Sequence, residues 1–146
     1  MNLLEVNENS VDAFVLNVEA SDYKGCDYRI NNISIIQRYS KTTAKKIGQF
    51  VSLWKRNNQG ETCPLDLDDK FDYIIIICVR DNLVGHFLFS KEVLADMGYI
   101  SDGVREGKRG FRVYPSWDSP TSKQAIQTQQ WQMEYFKSTA TLDLNE

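Results

Sequence analysis

The 146-residue sequence holds one histidine, His86, which excludes a metal centre built on several imidazole ligands. Cysteine is scarce and odd in number: Cys26, Cys63 and Cys78 lack the paired short spacings of a zinc or redox site. Free thiols are expected, with Cys78 packed as a small hydrophobe inside an apolar strand. Any metal would have to be held by carboxylates, as magnesium is. No apolar run approaches the roughly 18 residues of a membrane span, and the longest, Tyr73 to Val79, has the length of a strand. The stretch from Met1 has neither the basic region nor the apolar region of a secretion signal. The expectation is a cytoplasmic protein with no membrane partner. Internal repeats and low-complexity segments are also missing.

Acidic residues are missing where they matter most. The net charge is −3, yet Tyr28 to Gly60 contains Arg29, Arg38, Lys41, Lys45, Lys46, Lys55 and Arg56 and no aspartate or glutamate. A solvated surface is the ordinary explanation of such a run. A site for an anionic ligand is the sharper one.

What is present is a globular balance: 42% hydrophobic and 25% charged residues suit a packed core, and the length suits a single domain over residues 1–146. Val11, Phe14, Val15 and Val18 lie at helical spacing and predict a short first helix within Asn9 to Glu19. Tyr28 to Tyr39, interrupted by Asn31 and Asn32, predicts a hairpin. Ile47, Phe50, Val51 and Trp54 at i, i+3, i+4 and i+7 predict an amphipathic helix over Ala44 to Arg56. Phe71 to Val79 and Val84 to Phe89 predict a second hairpin, Lys91 to Met97 a short helix stopped by Gly98, and Phe111 to Tyr114 a strand. Pro120 to Phe136 predicts a last helix, and the final ten residues look frayed. The fold class expected is α/β, a mixed β-sheet flanked by helices.

Three segments go beyond pattern: RYSKTTAKKIGQFVSLWKR from Arg38 to Arg56, GHFLFSK from Gly85 to Lys91, and GKRGFRVYPSW from Gly107 to Trp117. With the weaker QWQMEYF from Gln130 to Phe136, the sequence resembles the MepB-like proteins over about residues 19–136. It departs from the usual family pattern at Ala44 and Ser90, where proline is common, and at His86, where glutamine is common. The resemblance implies a fold like that of the PD-(D/E)XK nucleases, and for some members a place beside multidrug-efflux genes. It names no reaction.

A nuclease of that class needs an aspartate opening one strand and a carboxylate with a lysine on the next, to hold magnesium and assist attack. Asp72, heading the Tyr73 strand, suits the first role, and Glu19 is a candidate second acid by position alone. The next strand offers only His86 and Leu88, so the motif is not intact. His86 reads more naturally as a strand residue than as a base, and Asp66, Asp68 and Asp69 as a solvated acidic loop. Trp54 and Trp131 read as core residues on apolar helix stripes.

The basic residues carry the main functional expectation. Arg38 and Lys41 closing one strand, Lys46 opening the expected helix, and Arg109 and Arg112 flanking a later strand would converge on a phosphate. Tyr39, Tyr114 and Trp117 would stack on bases. The sequence thus points to a protein that binds nucleic acid or a nucleotide phosphate without a cofactor. The alternatives are a magnesium-dependent nuclease or phosphodiesterase using Asp72 and Glu19, and a protein-interaction module with an apolar patch in place of the phosphate site.

Overall fold

The computed structural model describes residues 13–16 and 25–139. In chain order the elements are β1 (Ala13–Leu16), β2 (Cys26–Ile30), β3 (Ile33–Tyr39), β4 (Lys41–Thr42), β5 (Gln49–Ser52), β6 (Lys55–Arg56) and β7 (Thr62–Cys63). They continue with β8 (Tyr73–Arg80), β9 (Leu83–Ser90), α1 (Lys91–Asp96), β10 (Gly110–Val113), α2 (Lys123–Gln132), a 3₁₀ turn over Met133–Tyr135, and β11 (Phe136–Thr139). A six-stranded sheet runs β1-β2-β3-β8-β9-β11, and a three-stranded sheet runs β10-β5-β4. The large sheet is mixed: β3 and β8 are parallel, and its other neighbours are antiparallel. The fold is α/β with a mixed sheet, as the sequence led us to expect, but the described residues form fewer helices than expected.

The β8 strand explains why the sheet is central. Its run of Ile74 to Cys78 is wholly buried, and alternation sends Ile74, Ile76 and Cys78 to one face and Ile75 and Ile77 to the other. A strand buried on both faces reads as a continuous apolar run rather than an alternating one. The first face packs against Val51, Phe111 and Val113 of the small sheet and Leu94 and Ala95 of α1, with Trp131 of α2 at its margin. The second face carries Ile30 and Ile35, with Tyr28, Tyr39 and Leu88 around them.

Local chemistry sets the connections. Asn31 and Asn32 take φ of 49° and 66°, the left-handed pair that matches a two-residue hairpin to strand twist. Asp81, with φ 53°, lies in the β8–β9 turn. Ser90 caps α1 by accepting a hydrogen bond from Val93 N at 3.2 Å, and Gly98 ends it at φ 77°.

Three expected elements differ. The first helix is absent where it can be seen: Ala13–Leu16 is a strand paired with β2, because four consecutive apolar residues fit either period and the open edge of β2 decides. The rest of that expected helix lies outside the described residues. The helix expected over Ala44 to Arg56 is a loop followed by two strands. Gly48, at φ 90°, takes a backbone that no right-handed helix contains. Gln49, Val51 and Leu53 are then buried at period two, whereas Ile47, on the expected apolar stripe, is 43% exposed. The last helix ends at Gln132, and Phe136 instead enters the large sheet opposite Phe87.

Candidate anion-binding cleft

An open cleft of ≈ 550 Å³ lies where the small sheet meets the end of β8, lined by Thr42 through Gly48, Arg80, Asp81 and Asp118. Its wall is the loop between β4 and β5, which brings Lys45 and Lys46 to the surface as exposed side chains. Arg112 holds that loop from β10, donating to Ile47 O at 3.3 Å and to Thr43 Oγ1 at 2.7 Å. Lys41 and Arg112 both lie opposite Phe50, so the two cations share one face of the three-stranded sheet. Gly48 pins the far end, since a Cβ there would meet the Tyr114 ring at 2.7 Å.

The floor is built from α2 backwards. The side-chain amide of Gln132, fully buried, accepts from Tyr114 N at 2.9 Å and donates to Arg112 O at 3.0 Å, standing in for a neighbouring strand along β10. Gln129 Nε2 donates to Pro115 O at 3.0 Å and Asp118 O at 2.8 Å, and Asp118 N donates to Pro115 O at 3.0 Å. The turn from Tyr114 to Asp118 is thereby fixed. Asp118, with its side chain 7% exposed, accepts from Arg80 Nη1 at 3.1 Å through Oδ1, while Oδ2 has no partner. Burial pushes its carboxyl above the usual range, opposed by the Arg80 charge. Behind it, Ser40 Oγ bonds to Gln49 Oε1 and to Cys78 Sγ, and Gln49 Nε2 donates to Val79 O at 3.3 Å. Burial pushes the Cys78 thiol up to about 12.

The expected cations do not all converge. Lys41, Lys46 and Arg112 lie at or beside the cleft. Arg38 does not, because its strand position turns it inward: it is 4% exposed, pairs with Asp27 at 3.4 Å and donates to Gln37 O at 2.8 Å. Burial lowers its affinity for a proton, partly offset by Asp27. Arg109 is also engaged elsewhere, on Thr62 O of β7 at 2.9 Å. Among the described residues no helix N-terminus stands beside Lys46, so none of them contributes backbone N–H groups of that kind to the site.

The three expected stacking rings do not form one platform. Tyr114 is 9% exposed against Gly48, Trp117 lies edge-on to Phe136 with centroids 5.8 Å apart, and Tyr39 packs on the opposite face of the large sheet. His86 is buried at 6% exposure in β9, its proton affinity lowered by burial and by Lys137. Asp72 Oδ2 accepts from Ser34 N at 2.8 Å across the head of the parallel pair, and Glu19 lies outside the described residues. Among the described residues no three of histidine, cysteine, aspartate and glutamate gather as metal ligands.

The sequence reading missed Arg80 and Asp118. Arg80 reads as a turn residue, and Asp118 follows the Tyr114 to Trp117 segment without a pattern of its own. Only the folded chain brings them together.

A family model described as MepB-like matches residues 17–138. The chain belongs to the MepB-like family. A solved structure titled "Crystal Structure of MepB" superposes with a TM-score of 0.88 at 32% sequence identity, covering 92% of this chain and 91% of that one. No curated protein matches. The segments that carry the family resemblance meet in pairs: Gly48 against Tyr114, Gly85 against the Phe136 ring, and Gln132 along Arg112 to Tyr114. Two departures from the family pattern have visible roles. Ser90 replaces a common proline with an N-cap, and Ala44 lines the cleft.

Proposed function

We propose that this MepB-like protein binds nucleic acid or a nucleotide phosphate, and that the phosphate sits in the cleft between the Thr42–Gly48 loop and Arg80. The supporting observation is the excess of cations at the cleft: Lys45, Lys46 and Arg80 line it with Asp81 and the Arg80-paired Asp118, and Lys41 and Arg112 lie on the adjoining sheet face. Arginine offers a planar fork to phosphate oxygens, and lysine supplies mobile point charges. Thr42 and Thr43 add hydroxyl groups to the wall. The rim exposes Ile47 as its one large apolar side chain, which favours an anion over an apolar partner.

The protein would act in the cytoplasm, where its three free thiols persist. No helix of the described residues is long and apolar enough to cross a membrane.

The test is binding of a labelled oligonucleotide by fluorescence anisotropy between 50 and 200 mM salt, about the range over which counterion release is usually followed. Affinity falling steeply and linearly in log–log form supports the proposal. Salt-insensitive binding, or none tighter than about 10⁻⁴ M, overturns it.

A further inference from the structure

The Asp118 carboxylate is an acceptor kept short of donors. Its backbone is held on both sides by Pro115 O and Gln129 Nε2, so the side chain does not swing out to water with its loop. Oδ1 takes one hydrogen bond from Arg80, a side chain that is itself 52% exposed, and Oδ2 takes none. The polar groups behind the floor are engaged among themselves: Ser40 with Gln49 and Cys78, and Gln49 with Val79 O. Trp117 Nε1, on the neighbouring residue, is also buried without a partner and does not bond to Oδ2, so the side left for a donor is the cleft, which Asp118 lines.

That shortage meets a cationic rim. A buried carboxylate is tolerated only with charge or hydrogen-bond compensation, which among the described residues Arg80 alone supplies. A phosphate entering the rim competes for the same half-exposed guanidinium. Drawing Arg80 outward leaves two carboxylate oxygens open to a donor.

We infer that the Arg80–Asp118 ion pair is exchanged for ligand, Arg80 going to the phosphate and Asp118 accepting from the exocyclic amino group of the base beside it. This rests on the proposed phosphate site and adds the substrate class: nucleotides with amino-bearing bases, of which cytosine, whose N4 donates to carboxylates, is set against thymine in the test. Thymine and uracil are disfavoured because carbonyl oxygens flank their one pairing-edge N–H and meet the carboxylate with like charge. Tyr39, Tyr114 and Trp117 share no platform, which fits recognition by a base edge rather than by stacking. Asp118 is thus the specificity-determining residue and Arg80 the group that couples phosphate to base.

The test compares labelled oligodeoxycytidylate and oligothymidylate of equal length on the whole chain by anisotropy. Wild type prefers the cytosine strand by at least about fivefold, the lower end for one good base contact. D118A brings the ratio to about one while leaving thymine-strand binding as strong or stronger, because Arg80 is released. D118N, which retains the shape, also abolishes the preference, since an amide offers donor and acceptor alike. K46A weakens both strands and keeps the ratio. Competition by free cytidine monophosphate separates the two sources of the ligand: displacement indicates a free nucleotide, and none indicates a strand. A wild-type ratio of one, or a preference that survives in D118A and D118N, overturns the inference while the phosphate site stands. Loss of binding to both strands in wild type removes the phosphate site and the inference with it.

Discussion

Gln132 accepts a hydrogen bond from Tyr114 N at 2.9 Å while lying fully buried, so a helix side chain completes the edge of a strand. The same amide donates to Arg112 O and to the Tyr99 hydroxyl. Gln132→Leu keeps the volume and leaves Tyr114 N and Arg112 O unpaired, each costing about 1–3 kcal/mol. Urea unfolding is expected to show a loss of about 2–5 kcal/mol. A loss under about 1 kcal/mol would mean that water or a shifted strand satisfies those groups.

The Lys45 and Lys46 side chains are exposed at the rim, whereas Arg38 is buried with Asp27. K45A and K46A should each reduce the salt slope of oligonucleotide binding by about one. Arg38→Met should leave the slope unchanged. A reduced slope in that variant would place Arg38 on the phosphate after all.

Gly48 combines a φ of 90° with close approach to the Tyr114 ring. Gly48→Ala forces a left-handed backbone on a residue with a Cβ, which costs about 1–2 kcal/mol before the clash with the ring is counted. Weaker oligonucleotide binding should accompany the lower stability, because the loop carrying Lys45 and Lys46 ends there. Unaltered binding at reduced stability would uncouple the loop from the site.

The raised pKa of Asp118 gives stability a definite pH dependence. Burial raises the folded pKa above the unfolded one, and the native state therefore takes up this proton first as pH falls. The ionised carboxylate destabilises the fold at neutral pH, and that penalty is relieved as pH drops through the folded pKa towards the unfolded value of about 3.9. Arg80 and Asp81 are the charged groups facing it from the end of β8, with Lys45 and Lys46 across the cleft. D118N lacks the penalty, so its stability advantage at pH 7 should shrink as the pH is lowered. An advantage that grows on acidification would reverse the sign and contradict the burial argument.

Much of the fold could be read from residue order, for physical reasons specific to each segment. The β8 run is too apolar and too short for anything but a doubly buried strand, and Asn31 with Asn32 supplies the turn that its flanking strands need. The Ala44 to Arg56 segment misled because Ile47, Phe50, Val51 and Trp54 fit a helical stripe while Gln49, Val51 and Leu53 fit a strand. Gly48 was the available signal, and tertiary context chose the strand. The candidate site was half legible. Lys41, Lys46 and Arg112 stand out as a basic set in an acid-free stretch and its partner strand, whereas the Arg80–Asp118 pair joins residues 38 apart in the chain and leaves no local trace.

The central claim concerns location, and amide chemical-shift mapping during titration with an oligonucleotide tests it most directly. The account predicts that the largest shifts cluster at Thr42 to Gly48, Arg80 and Asp118. Shifts centred instead on Thr62 and Arg109, or around Tyr39 on the far face of the large sheet, would contradict it.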